Sequence, residues 1–379
     1  MSTSAAPMHA EELRGLLDAG APITVLDIRT RSDRAEWWIP HSIHVDAYDA
    51  LGRGDPQALT GLDIPVTLPV VAVCRAGVVA QAAARYLADR GFRAFYLEGG
   101  MKAWGQAWNR AEVPIANPDF AVIQVRRTGK GCLSYMIGSR GEAAVVDPAV
   151  DPGVYLRLAE ERGWRITSLL DTHIHADHVS RGRELAQRTG AQLFLPAQDR
   201  ARYAHVPLGD GDQVQVGNAT ITLLATPGHT PESACFRLDE DVLLTGDTLF
   251  LGGVGRPDLE ATNDQAAMRA RQLHASLKRI LALPDRTLIL PGHTDRPVPF
   301  DGRLVGATLD VLRKEEEGLG RWFDGAHPSG PDAFAQWILG RLPPTPANHG
   351  EIVRLNETGT TPPAPLEALE AGANRCAVS

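Results

Sequence analysis

Thr172-His173-Ile174-His175-Ala176-Asp177-His178 places three imidazoles and a carboxylate within six residues, directly after the apolar run Ile166 to Leu170. Packing does not explain such density, because each group would need its own buried partner or open water. The same local design recurs downstream. Ile221 to Leu224 leads into Pro227-Gly228-His229-Thr230, Val242 to Leu244 leads into Gly246-Asp247, and Thr287 to Leu290 leads into Pro291-Gly292-His293. Each time a short hydrophobic strand ends in a tight turn that delivers one His or Asp. Ligands carried on the ends of several strands converge on one edge of a sheet, where a bound metal stays open to substrate. The expectation is a metal site.

With its H-x-H-x-D-H run followed in order by His229, Asp247 and His293, the chain resembles the metallo-β-lactamase superfamily. That resemblance implies a four-layer αβ/βα sandwich at residues 120–310. Strand and helix signals alternate there, with helices expected at Pro152 to Glu161, Arg183 to Thr189 and Gln265 to Leu283. Cys132 and Cys235 lie in apolar strand patterns and are expected in the core.

Residues 1–112 read as a smaller α/β domain. Ile23 to Ile28 is a strand ending in Asp27-Ile28-Arg29, and Val70 to Val73 is a buried strand stopping at Cys74. An alanine-rich helix follows Arg75-Ala76-Gly77. A cysteine between a strand and a helix N-terminus sits where backbone N–H groups and the helix dipole favour a thiolate. Together with Gly99-Gly100-Met101-Lys102-Ala103-Trp104, these residues resemble the rhodanese (sulfurtransferase) domain. The resemblance implies that Cys74 carries sulfane sulfur as a persulfide, with Arg75 and Gly77 in the binding loop. Val79 and Ala80 stand where the family commonly has a second Arg and a Ser, which weakens the case for a dianion such as thiosulfate as donor. The fold class expected is therefore two-domain α/β, a rhodanese-like domain joined to a metallo-β-lactamase sandwich.

Pro114 and Pro118, in a stretch without hydrophobic period, mark a linker at 113–119. Residues 311–379 read as a helical extension and tail. Leu304 to Glu317 and Phe334 to Leu342 are expected helices, and the end of the chain is expected to be mobile. Cys376, beside Arg375, is a candidate sulfur relay.

The chain has 379 residues, 44% hydrophobic and 22% charged, with a formal charge of −8. That charge disfavours a nucleic-acid surface, which needs clustered Lys and Arg. About fifty residues separate Asp247 from His293, too few for the extra domain that nucleases of the superfamily resemble. No signal-peptide pattern and no membrane-spanning run is visible, and four widely spaced cysteines form no disulfide framework. A reduced, cytoplasmic location is expected. A homodimer is compatible with the sequence.

The ligands alone permit two arrangements. In one, His173, His175 and His229 hold one Zn(II), Asp177, His178 and His293 hold a second, and Asp247 bridges, for hydrolysis of a thioester or amide. In the other, His173, His229 and Asp247 form a two-histidine, one-carboxylate face suited to Fe(II) and O₂. Gly246-Asp247 with Gly255-Arg256-Pro257-Asp258 resembles persulfide dioxygenases. That resemblance implies one Fe(II) on His173, His229 and Asp247, with His175, Asp177, His178 and His293 around it. It also implies a substrate such as glutathione persulfide, oxidised by O₂ to sulfite and thiol. Arg256 is expected either to bind a substrate carboxylate or to pair with Asp258. The rhodanese-like domain would exchange sulfane sulfur with thiosulfate or sulfite. The alternatives are a dinuclear zinc hydrolase of the hydroxyacylglutathione type and a sulfur-binding carrier or regulatory protein.

Overall fold

Five parallel strands form the N-terminal sheet, in the spatial order Ala6–Met8, Ala94–Leu97, Val70–Val73, Thr24–Asp27 and Ile43–His44. The computed structural model describes residues 5–55, 57–314, 330–362, 365–372 and 374–378. Val70 to Val73 carry no polar side chain and are buried on both faces, as the centre of a parallel sheet requires. Ala83, Ala84 and Leu87 of the helix Val78–Ala88 seal one face, and Leu13 and Trp104 seal the other.

The second domain is built from two mixed sheets. Seven strands run in the order Val206–Leu208, Gln192–Pro196, Arg165–Leu170, Glu142–Val146, Cys132–Ser139, Ala121–Arg127 and Asn109–Val113. Six more run Gln213–Val216, Ala219–Ala225, Ala234–Leu238, Val242–Gly246, Leu288–Pro291 and Ala307–Thr308. Period-two alternation decides which residues meet between them. Leu133, Tyr135 and Ile137 point inward against Ile221, Leu223, Phe236 and Leu244 of the facing sheet. Met136 points outward, onto Val154, Tyr155 and Leu158 of the helix Pro152–Arg162. On the far side the helix Asn263–Leu281 covers Cys235, Leu243 and Ile289 with Leu273, Leu277 and Ile280. Each fully buried Leu, Ile or Phe here contributes about 1.5 to 3 kcal/mol. The layers are helix, sheet, sheet, helix.

Two expectations about the ends of this domain are corrected. The sandwich begins before residue 113: Asn109–Val113 is an edge strand, with Asn109 opposite Arg126 and Val113 opposite Val122. Its alternation is buried at Asn109, Ala111 and Val113 and exposed at Arg110 and Glu112. Five residues with only one branched aliphatic among them do not announce themselves as a strand. The described residues 374–378 also depart from the expected mobile tail. Ala377–Val378 pairs antiparallel with Val254–Gly255, and Cys376 is 1% exposed. Of the helix expected from Leu304, Leu309–Lys314 is helical after the short strand Ala307–Thr308, and residues 315–317 lie outside the described residues.

The two domains share a packed boundary. Trp37 Nε1 donates to the Thr128 carbonyl at 2.9 Å, and Arg127 Nε donates to the Gly105 carbonyl at 2.7 Å. Among the described residues no helix is long and apolar enough to cross a membrane.

Candidate metal centre

Every ligand candidate of the H-x-H-x-D-H run is buried, at the edge where the two sheets open. The strand Arg165–Leu170 delivers His173, and Val242–Gly246 delivers Asp247. Gly246 is required between strand and ligand. It adopts φ 49°, and a Cβ there would stand 2.5 Å from Thr172 Oγ1. Leu288–Pro291 delivers His293, and a backbone bridge between Cys132 and His293 ties the two sheets together at this point.

The side chains sort into three groups. In the first, Asp247 Oδ2 lies 3.9 Å from His173 Nε2 and 3.6 Å from His229 Nε2. His173 Nε2 and Asp247 Oδ2 are buried without a hydrogen-bond partner. Their neighbours fix which nitrogen is free. His229 Nδ1 donates to the Arg256 carbonyl at 2.8 Å. His173 Nδ1 lies 2.9 Å from Thr172 Oγ1, whose own proton goes to Asp147 Oδ2 at 2.9 Å. Both rings are thereby set with Nε2 bare, the tautomer a metal ligand needs. Burial lowers the pKa of both, most strongly at His173, where His175 adds to it, so the lone pairs stay unprotonated. Asp247 moves the opposite way. Burial alone would raise it, but His293, then His173 and His229, hold it well below the ordinary carboxylate range. Two neutral imidazoles and a carboxylate fit a divalent ion with open positions.

The second group centres on His175, neither of whose ring nitrogens meets a hydrogen-bond partner among the described residues. Its Nε2 lies 3.3 Å from Asp147 Oδ1 and 3.6 Å from Asp171 Oδ1. Burial opposes its charge, but these two carboxylates raise its pKa well above 6.5. Asp147 and Asp171 follow the adjacent parallel strands Glu142–Val146 and Arg165–Leu170, so both carboxylates emerge at one edge. Asp147 holds a left-handed backbone, φ 51°, at a cost of about 1 to 2 kcal/mol for a residue with a Cβ. Hydrogen bonds from Thr172 N at 2.7 Å and Thr172 Oγ1 offset it.

The third group is Asp177, His178, His293 and Cys132, whose ligand atoms lie within 4.8 Å of one another. His293 spans two carboxylates, with Nδ1 2.6 Å from Asp247 Oδ1 and Nε2 2.9 Å from Asp177 Oδ2. His178 Nδ1 lies 3.0 Å from Asp177 Oδ1, and the Cys132 thiol donates to Asp177 Oδ2 at 3.2 Å. Cys132 is thus a site residue and not simply a core residue. It opens its strand beside the bridge to His293, a position that only the pairing register reveals. Cys235 does sit in the core, where burial pushes its thiol up to about 12. Cys376 also reaches the centre, within 4.8 Å of ligand atoms of Asp247 and His293.

Arg256 is held in an ion pair with Asp258. Its guanidinium, 1% exposed, grips Asp258 with Nε and Nη2, each at 2.8 Å, and Nη1 reaches the Pro344 and Arg375 carbonyls. Its contribution is to fix the carbonyl that orients His229. Beside His293 opens a cavity of about 240 Å³ lined by Trp37, Phe250, Leu251, Asn374 and Arg375.

In the N-terminal domain Cys74 ends its strand with the thiol turned inward, where Sγ accepts the Ala80 N–H at 3.4 Å. Gly77 takes φ 82° ahead of the helix. Gly100 packs so closely under this loop that a Cβ would meet the Cys74 carbonyl at 2.3 Å, which explains the paired glycines. Arg75 leans outward and donates to Asp33 at 2.7 Å, so its charge is matched at the loop mouth. Asp27 and Arg29 form a buried ion pair at 2.7 Å that braces the strand end.

Comparison with known proteins follows this division. Residues 127–293 match the metallo-β-lactamase superfamily, and residues 9–107 match the rhodanese-like domain. The hydroxyacylglutathione hydrolase of Pseudomonas entomophila (strain L48) is 39% identical over 153 residues, 40% of this chain and 56% of that protein. The protein of the same name from Ectopseudomonas mendocina (strain ymp) is 37% identical over 194 residues, 50% of this chain and 72% of that protein. The chain thus spans little more than half the length of some of the curated relatives it matches. Among solved structures, a metallo-β-lactamase from Staphylococcus aureus subsp. aureus COL superposes with TM-score 0.57 at 27% identity, covering 64% of this chain and 74% of that one. ETHE1 from Myxococcus xanthus superposes with TM-score 0.53 at 29% identity, covering 62% and 97% respectively.

Proposed function

The chain belongs to the metallo-β-lactamase superfamily and carries a rhodanese-like domain, and from that premise we propose that it is an iron-dependent persulfide dioxygenase coupled to a sulfurtransferase site. The observation that supports this reading is the meeting of His173, His229 and Asp247, in which His173 Nε2 and Asp247 Oδ2 are buried without a hydrogen-bond partner. Fe(II), held by these three residues, would supply oxygen-activating chemistry at its open positions. The fused rhodanese-like domain handles sulfane sulfur, the same class of substrate.

The protein's own part is positioning. Thr172 and the Arg256 carbonyl hold the two imidazoles in one tautomer. Trp37, Phe250 and Leu251 give the cavity beside His293 an apolar wall, which limits water around a reactive sulfur chain. The net reaction takes a thiol persulfide, O₂ and water to thiol, sulfite and two protons. The outer sulfur loses four electrons, O₂ gains them, and the S–S bond breaks. Glutathione persulfide is the proposed substrate, and thiosulfate or sulfite the proposed exchange partner at Cys74.

The names of the curated relatives favour a second reading, a dinuclear zinc hydrolase of glutathione thioesters. One experiment separates the two. Protein produced with iron and zinc both available should retain one iron per chain and consume O₂ with glutathione persulfide. Two zinc ions per chain, thioester hydrolysis and no O₂ uptake would replace the first reading with the second.

The two sites should also separate by mutation. Cys74→Ser removes the sulfur-accepting nucleophile and should lower sulfur transfer to cyanide or sulfite by at least about 1,000-fold. Oxygen uptake with preformed glutathione persulfide should be unchanged. Residual transfer near the wild-type rate would mean that Cys74 is a packing residue.

A further inference from the structure

The cavity beside His293 is not walled by the metal domain alone. Glu36 and Trp37, both from the N-terminal domain, line it together with Arg375 from the C-terminal segment. Trp37 is wedged against Gly131, where a Cβ would stand 2.8 Å from the ring. Gly131 precedes Cys132, and its carbonyl accepts the Thr294 N–H at 3.0 Å. The ring therefore rests on the two segments that carry Cys132 and His293. That contact sets the place of Glu36, the last residue of the helix Arg31–Glu36. Glu36 Oε1 accepts Arg375 Nη2 at 3.3 Å. The Arg375 backbone is fixed, because its carbonyl accepts Arg256 Nη1 at 3.3 Å and Ala377–Val378 is strand-paired. The two side chains are open to solvent by comparison, 32% exposed at Arg375 and 56% at Glu36.

Among the described residues lining this cavity, Arg375 carries the single guanidinium or ammonium, and Glu36 and Asp295 carry the carboxylates. A carrier bearing several phosphates, such as coenzyme A, needs clustered cations and meets two acids here instead. A cation beside an anion matches a zwitterion. The α-amino-acid end of glutathione presents a carboxylate and an ammonium on one carbon atom. An exposed ion pair with one long contact is weak, whereas a carboxylate taken by two guanidinium nitrogens is held strongly. Such a ligand displaces Glu36 from Arg375 and leaves Glu36 to take the ammonium. We propose that Arg375 and Glu36 are the specificity-determining pair of the metal centre: they bind the zwitterionic end of the thiol carrier, and the N-terminal domain thereby supplies half of its recognition. The proposal rests on the reading above that the centre acts on a glutathione-borne substrate, and it is the same for a persulfide and for a thioester. Trp37 is a positioning residue, acting on the carrier through Glu36.

The test uses the iron-loaded full chain and compares glutathione persulfide with the persulfide of 2-mercaptoethanol, which has neither carboxylate nor ammonium. Arg375→Met should raise KM for glutathione persulfide about 10- to 100-fold and hold kcat within about two-fold, as the loss of one charge-assisted contact to the carrier requires. Glu36→Gln keeps the shape and should raise KM about 3- to 10-fold. Arg375→Lys keeps the charge without the planar fork and should recover part of the loss. With the 2-mercaptoethanol persulfide, variants and wild type should match. A loss of equal size on both substrates, or no change on either, overturns the proposal. Calorimetric titration with reduced glutathione involves no oxygen chemistry and keeps two failures apart. If no persulfide drives O₂ uptake, the dioxygenase reading falls, while a glutathione affinity about 10- to 100-fold lower in Arg375→Met than in wild type upholds the recognition pair. A wild type that binds glutathione no more tightly than coenzyme A overturns the pair.

Discussion

On the proposed reading, Asp247→Asn should leave the protein without a bound metal ion and without oxygen uptake, although the two side chains have nearly the same size and shape. Asp247 works with both oxygens. Oδ2 faces His173 and His229, and Oδ1 takes His293 Nδ1 at 2.6 Å. An amide removes the charge that attracts the cation, and its NH₂ end must point at one of these two places. Toward the imidazoles it blocks the ligand face, and toward His293 it sets donor against donor. Losing an outer partner of a metal ligand typically lowers affinity 10- to 100-fold, so losing the ligand itself should lower it by more than about 100-fold. Stability should also fall by about 3 to 5 kcal/mol, because His293 loses one of its two carboxylates in a buried site. Metal counting, oxygen uptake and urea unfolding on one preparation read all three effects. A variant that keeps its iron and its turnover would remove Asp247 from the ligand set.

The ligand set was legible because each ligand follows a short apolar run. Such a run folds as a buried strand whatever its surroundings, and the turn after it presents its residue at the sheet edge. The fate of each ligand was not legible, because it depends on neighbours distant in the chain. His175 stands beside Asp147, which follows a different strand, and the sequence signal for that was present: two strands, each ending in Asp. Cys132 had no such signal. In an apolar strand a cysteine reads as core, and only the register that sets it against His293 turns it toward Asp177. Arg256 stood equally between substrate and ion pair until the position of Asp258 decided it. The chain end was the hardest to read. Its docking depends on Lys130, Arg127 and Arg181, which lie between 189 and 243 residues from the partners they hold.

Those basic residues carry the other large effect, Glu370→Gln. The Glu370 side chain is fully enclosed, with Arg127 Nη1 at 2.8 Å and Arg181 Nη2 at 3.3 Å. It also accepts the Val179 N–H at 2.8 Å, one residue beyond His178. Gln fills the same space without the charge and leaves two buried guanidiniums uncompensated, so unfolding at pH 7 should cost about 3 to 5 kcal/mol less than in wild type. Burial alone would raise the Glu370 pKa, but Arg127 and then Arg181 hold it at about 2. The folded value lies below the unfolded one, so the stabilisation is complete above about pH 4.5 and drains away as pH falls toward 2. The gap between wild type and variant should therefore be constant from pH 8 to about 5 and narrow below that. A gap that stays constant down to pH 3 would show that the pair contributes by shape alone.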